Sequence, residues 1–242
     1  MTESTLFIGA GAMGGAVLRG ALTHGLLTKE QVTVTVKTES HAKALADELG
    51  VKTGTEIPSG ETFGTIILGV KPQVLPTVLP QLKDIPAGTV VVSLAAGVTL
   101  ETLEASAPQA VWYRVMPNTP ALVQTGAHGL FANAAVTAQD RELASQVLAS
   151  TGLTIWVNSE AQIDAVTAVS GSGPAYFFYM MESMIRAGKN LGLDEKVATA
   201  LTLQTALGAA QMAITSASSP AELRRNVTSP NGTTQAAIEV FD

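Results

Sequence analysis

The apolar triplet Leu6-Phe7-Ile8 runs without a gap into Gly9-Ala10-Gly11-Ala12-Met13-Gly14. A stretch from Gly15 to His24 follows, with Ala16, Val17, Leu18, Ala21 and Leu22 at helical spacing. Strand, glycine turn and helix in that order constrain the chain to open as a parallel α/β sheet. Gly9 permits the tight turn, Gly11 lets backbone approach a pyrophosphate, and Gly14 lets helix and strand pack closely. The helix N-terminus adds unpaired N–H groups and a partial positive charge. A ligand-free turn uses the same glycines. The complete strand–turn–helix setting favours a dinucleotide site.

The strand and helix signals continue. Gln31 to Lys37 alternates, with Val32, Val34 and Val36 on one face and Thr33 and Thr35 on the other. An NAD site commonly has an acid at this second strand tip, about twenty residues past the glycines, to bond the ribose 2′-hydroxyl. Here the tip reads Val36-Lys37-Thr38, with Glu39 just beyond and Ser40 after it. A cation and hydroxyls suit a 2′-phosphate, so Lys37 and Thr38 favour NADPH over NADH. A solvated strand end is the plainer account of Lys37.

Ser40 to Leu49 predicts a helix ended by Gly50. Thr65 to Val70, Thr89 to Leu94, Ala110 to Val115 and Leu153 to Val157 predict strands. His128 to Phe131 predicts an edge strand, and Ala138 to Ser150 a helix. Val70-Lys71-Pro72 stands at one strand tip, Ala95-Ala96-Gly97 at another, and Met116-Pro117-Asn118-Thr119-Pro120 at a third. Ligands bind beyond such tips in open α/β sheets. The alternation argues for a parallel, doubly wound sheet over residues 1–158, followed by an all-helical segment over residues 159–242.

In that second segment, Ala161 to Val169 predicts a short helix and Ser170 to Pro174 a glycine-rich loop. Ala175 to Leu191 predicts a helix whose Tyr176, Phe177, Phe178, Tyr179, Met180, Met181 and Met184 read as core or interface. A further helix runs from Asp194 or Glu195 to about Ser216. No charge occurs between Lys196 and Glu222. A helix with no charged face must be covered on most sides. Its threonines and glutamines are too polar for a membrane span, so a second subunit is the expected cover, in a homodimer or a larger assembly built on dimers. Ser229-Pro230-Asn231-Gly232-Thr233-Thr234 precedes a last helix start, Gln235 to Phe241. Hydroxyls and free N–H groups there suit either a substrate carboxylate or a plain helix cap.

Composition narrows the classes. A net charge of −6 without a basic stripe argues against nucleic acid, and the lack of cysteine removes disulfides and thiol catalysis. His24, His41 and His128 are scattered, so no metal is expected. No signal peptide is evident, and a cytoplasmic setting is the default expectation.

Together these motifs resemble the pyrroline-5-carboxylate reductase family, which makes proline in the last step of its biosynthesis. The matching segments are Phe7 to Gly14, Gly69-Val70-Lys71-Pro72-Gln73, Val91 to Gly97, Arg114 to Pro120, Gly171-Ser172-Gly173-Pro174-Ala175-Tyr176 and Ser229 to Thr234. The resemblance implies a Rossmann-type domain holding NADPH, with NADH as the alternative, and a helical domain that dimerises around the active site. It implies reduction of L-1-pyrroline-5-carboxylate by hydride transfer. Gly9, Gly11, Ala12, Met13, Gly14, Lys37, Thr38, Val70, Lys71, Pro72, Ala95 and Asn118 would contact the cofactor. Ser229, Asn231, Gly232 and Thr233 would hold the substrate carboxylate, and Thr234 would face the ring nitrogen as the catalytic hydroxyl. Asn231 replaces a usual glycine, and Asn tolerates left-handed backbone. Val36-Lys37-Thr38 replaces a usual Asn-Arg-Ser, keeping charge without the bidentate fork. The chain is shorter than the family norm and stops within its last helix, which is expected to affect stability or assembly.

Two rivals remain. A β-hydroxyacid dehydrogenase shares the two-domain plan, but it needs a lysine soon after the glycine pair, where this chain has Tyr176, Phe177 and Phe178 and reaches Lys189 only later. A cofactor-binding sensor without catalysis is the other.

Overall fold

The computed structural model describes residues 4–241. It packs as two compact units that divide between Pro174 and Ala175.

The first unit is built on one eight-stranded sheet: β1 (Thr5–Ile8), β2 (Val32–Thr35), β3 (Lys52–Gly54), β4 (Thr65–Leu68), β5 (Val90–Ser93), β6 (Val111–Met116), β7 (Gly126–Ala132) and β8 (Gly152–Trp156), in the order β3-β2-β1-β4-β5-β6-β7-β8. Its helices are α1 (Ala12–Thr23), α2 (Glu39–Leu49), α3 (Leu75–Val78), α4 (Leu100–Glu104), α5 (Ala138–Ala149) and α6 (Ala161–Val166). Every residue of β1, β2 and β5 is buried, as a parallel sheet covered on both faces requires. The two-residue pleat sorts the core. Phe7, Val34, Ile67, Val92 and Tyr113 pack with Val17 and Leu18 of α1, Leu45 of α2 and Leu148 of α5. Leu6, Ile8, Ile66, Leu68, Val91 and Trp112 pack with Leu75 of α3 and with Leu100 and Leu103 of α4.

The predicted edge strand at 128–131 is in fact interior. β7 pairs antiparallel with β6 and parallel with β8, and β8 forms the edge. The link from β6 to β7 holds only a 3₁₀ turn, Thr119–Val123. A link that short returns antiparallel, whereas α5 supplies the crossover that makes β8 parallel to β7. Buried on β7, His128 sits 2.9 Å from Thr151 Oγ1 through Nε2. Burial pulls its pKa below the usual imidazole value.

The loop expected at 170–174 is also different. Thr167–Gly171 forms a π-helical turn, with the Ser172 N–H donating to the Thr167 carbonyl at 2.8 Å, and the next helix already starts at Gly173. Such turns need outside support. Here Asn118 Nδ2 donates to the Ser170 carbonyl at 3.0 Å, and a Cβ on Gly171 would overlap the Met116 side chain. Arg114 of β6 is buried and donates to Glu160 Oε1 at 2.9 Å. The same oxygen accepts the Leu100 N–H at 2.7 Å. These ties bind residues 160–171 to the sheet, so compact packing divides near 174 although the strands end near 158.

The second unit holds the rest of α7 (Gly173–Asn190), α8 (Glu195–Thr215), α9 (Pro220–Asn226) and α10 (Thr233–Phe241). Caps mark the starts. Asp194 Oδ1 accepts the Lys196 N–H at 2.9 Å, and Ser219 and Glu222 form a reciprocal capping box before α9. That box holds the Glu222 carboxyl below its usual pKa, chiefly through the Ser219 N–H. Within the single chain, Tyr176, Phe177, Phe178 and Tyr179 are exposed, which overturns the core reading of α7 and leaves the interface reading. On α8 only Ala198 and Thr202 are buried.

Candidate active site

β1, β2, β4, β5 and β6 run parallel, so the loops after them leave from one edge of the sheet. From β1 the order runs outward through β2 in one direction and β4 in the other. That reversal opens a crevice beyond the strand tips. A cleft of about 670 Å³ lies there, lined among others by Gly9, Gly11, Lys37, His41, Val70 and Lys71.

The glycines shape the floor. Gly9 has φ 90°, and its N–H donates to the Thr35 carbonyl at 2.8 Å. A side chain there would be strained and would press on Val70. A Cβ on Gly14 would overlap the Gly9 carbonyl, so α1 sits directly against the turn. Gly11 differs, because a Cβ there would meet nothing within 4 Å. It caps α1 without a side-chain hydrogen bond, so no cap side chain takes up the first N–H groups of α1. An uncapped helix start behind an open glycine fits a dinucleotide pyrophosphate. Ala12, Met13 and Gly14 form the first turn of α1, and Met13 packs partly against the core.

At the tip of β2, Lys37 is exposed and lines the cleft. Thr38 serves α2: its Oγ1 accepts the His41 N–H at 3.3 Å and lies 3.3 Å from Ser40 Oγ. Glu39 opens α2, and its carboxylate accepts from Thr55 Oγ1 at 3.1 Å. His41, Thr55, Glu56 and Gln81 also line the cleft and were not anticipated. Spacing could have found His41, which falls three residues after the Thr38 cap. Thr55 and Glu56 follow β3, a strand too short and polar to announce itself.

Beyond β4, Lys71 is extended and Pro72 begins a 3₁₀ turn, as a ring-locked residue can at a first helical position. Ala95 is buried at the tip of β5. Asn118 is buried past β6 with both ends of its amide engaged: Oδ1 accepts the Ala127 N–H at 2.8 Å, while Nδ2 holds Ser170. Its side chain shapes this edge by joining β7 to the π-turn.

In the second unit, the loop before α10 is compact. Asn231 has φ 58°, in the left-handed region, and its N–H donates to Gln235 Oε1 at 2.8 Å. The Gly232 N–H donates to the Ser229 carbonyl at 3.0 Å. Ser229, Thr233 and Thr234 are exposed, and their hydroxyls make no hydrogen bond among the described residues. Lys189, the lysine a β-hydroxyacid dehydrogenase would need nearer the glycines, is ion-paired with Glu195 at 2.7 Å.

Comparison with known proteins agrees with this geometry. Residues 160–242 match the family described as pyrroline-5-carboxylate reductase dimerisation, and residues 5–97 match NADP oxidoreductase, coenzyme F420-dependent. A pyrroline-5-carboxylate reductase of Pseudomonas aeruginosa is 46% identical, over 99% of this chain and 89% of its own. The solved pyrroline-5-carboxylate reductase of Coxiella burnetii superposes with a TM-score of 0.92 at 39% identity, covering 100% of this chain and 90% of the other. The pyrroline carboxylate reductase of Plasmodium falciparum, solved with NADP bound, gives a TM-score of 0.84 at 26% identity, over 99% and 89% of the two chains.

Proposed function

Since the chain belongs to the pyrroline-5-carboxylate reductase family, we propose that it reduces L-1-pyrroline-5-carboxylate to L-proline, with NADPH as reductant and NADH as the alternative. A cytoplasmic place in proline biosynthesis and a homodimer, or an assembly of dimers, go with this reading. Residues 1–158 hold the cofactor, and residues 159–242 hold the substrate and the partner subunit. The observation that carries the reading is the cleft at the β1/β4 reversal, with Gly11 open in front of an uncapped α1.

Bound NADPH supplies the hydride that the imine carbon accepts. The chain supplies position and a proton path. The uncapped start of α1 would receive the pyrophosphate, and Lys37 and Lys71, both in the cleft lining, would pair with phosphate or ribose. The free hydroxyls of Ser229 and Thr233, with the N–H groups at Asn231 and Gly232 and at the start of α10, form the cradle for a carboxylate. Asn231 keeps the turn because it occupies the left-handed backbone that a glycine would. Thr234 hydrogen-bonds the ring nitrogen and relays a solvent proton to the imine, and hydride addition to the resulting iminium gives the amine. A protonated imine is already electrophilic, so holding the reacting groups in place accounts for much of the rate.

The test is NADPH oxidation followed at 340 nm. Substrate-dependent oxidation with pyrroline-5-carboxylate is expected; its absence, with 3-hydroxyacid-type carbonyl substrates turned over instead, would sink the reading. Thr234→Ala is expected to lower kcat on the order of 10²-fold while leaving the melting temperature unchanged. Unaltered kinetics would remove Thr234 from the site.

A further inference from the structure

We infer that His41, together with the Thr55–Glu39 pair, selects a dinucleotide carrying a 2′-phosphate over one carrying a free 2′-hydroxyl. The inference rests on the cofactor reading above and assigns residues to its specificity.

The two cofactors differ at one group, and they ask opposite things of a strand tip. A 2′-hydroxyl wants a carboxylate to accept its proton, and a 2′-phosphate wants N–H donors and no free carboxylate nearby. The tip of β2 offers both chemistries within five residues, Lys37 to His41. Packing decides between them. Lys37 and His41 line the cleft, one from the strand end and one from the first turn of α2. The His41 backbone N–H donates to the Thr38 cap at 3.3 Å, which holds the residue in the first turn of α2 beside the cleft. The acid that an NADH site would use, Glu39, is tethered instead. Its Oε1 accepts from Thr55 Oγ1 at 3.1 Å, and Thr55 is itself a wall of the cleft beyond β3. Thr55 therefore acts as a positioning residue, engaging one oxygen of the carboxylate and holding Glu39 toward β3. Glu56, the other acid in the lining, follows Thr55 and provides a control.

Calorimetric binding to the whole protein tests this without turnover, using NADP⁺ against NAD⁺ and 2′,5′-ADP against 5′-AMP. His41→Ala is expected to weaken NADP⁺ and 2′,5′-ADP roughly tenfold, the scale of one hydrogen bond to a charged group, with NAD⁺ and 5′-AMP within about twofold. His41→Gln, which keeps an N–H donor, should recover part of that loss. Thr55→Val should lower the NADP⁺ preference over NAD⁺ several-fold, and the effect should vanish when Glu39→Gln is already present, whereas Glu56→Gln should not abolish it. Equal weakening of both members of each pair, or no change in either, would overturn the inference; so would a Thr55→Val effect that survives Glu39→Gln. Wild-type protein that binds neither dinucleotide would overturn the cofactor reading as well, whereas wild-type binding with unmoved ratios overturns only the selectivity. Thermal melts matching wild type show that each variant is folded.

Discussion

The sheet unit buries Phe7, Trp112 and Tyr113 completely, whereas the helical unit leaves Tyr176, Phe177, Phe178 and Tyr179 between 60% and 68% exposed. The residue types are alike and the outcomes opposite. In the first unit, a pleat with a helix on each face gives Phe7, Trp112 and Tyr113 partners within the chain. In the second, α8 runs from Lys196 to its end without a charge and buries only Ala198 and Thr202. A helix of that kind is stable in water only when something covers it. Residues 160–242 match a dimerisation family, which supports a second copy of the chain as that cover. The sheet is closed chemistry and the helices are open. In the sheet unit Arg114, Asn118 and Thr151 are paired internally, while in the loop before α10 the hydroxyls of Ser229, Thr233 and Thr234 make no hydrogen bond among the described residues.

The largest effect expected from this contrast is on assembly. Leu203→Asp with Leu207→Asp places two carboxylates on the uncovered face of α8, and burying each unpaired costs several kcal/mol. Sedimentation should show a monomer with the sheet unit still folded. A dimer of unchanged affinity would break the contrast. Next, Trp112→Ala should cost about 3–5 kcal/mol in urea unfolding, because the ring is fully buried and its Nε1–H donates to the Ala107 carbonyl at 3.0 Å. That loss should not depend on protein concentration, in contrast to the α8 variants. The smallest effect is on pH dependence. Burial depresses the folded-state pKa of His128, so the native ring takes up its proton at lower pH than the unfolded ring does. Its contribution is neutral above the unfolded value of about 6.5, and stability falls as pH drops below it, by at most about 1.4 kcal/mol per pH unit. His128→Gln should flatten the melting-temperature profile between about pH 7.5 and 5.5. An identical slope would place acid sensitivity elsewhere.

Much of the first unit is legible in the chain, because local rules and tertiary packing agree there. The glycine turn follows its strand directly, and Gly50 ends α2 in the left-handed conformation; in the second unit, Asn231 likewise takes the backbone its side chain tolerates. What escapes sequence reading depends on distant partners. β3 is three residues, Lys52–Gly54, without an apolar signal, and exists because β2 pairs with it. The direction of β7 is set by loop length rather than by its own residues. The π-turn needs Asn118, 52 positions away from Ser170. In the site, Gly9, Gly11, Lys37, Val70 and Lys71 come together in one cleft as their motifs imply. His41 and Thr55 carry no motif, and only the fold brings them to the same wall.

The oxygen that Glu160 shares between Arg114 and the first N–H of α4 has a consequence for how this protein breathes. Three segments far apart in sequence, around 100, 114 and 160, meet on one acceptor. Detaching the start of α6 would strand a buried guanidinium, which is strongly unfavourable. The end of β6, the start of α4 and the run from α6 through the π-turn should therefore open together or not at all. In amide hydrogen exchange they would protect as a single cooperative block, joining the strand-tip edge of the sheet to the first residues of the segment that matches the dimerisation family.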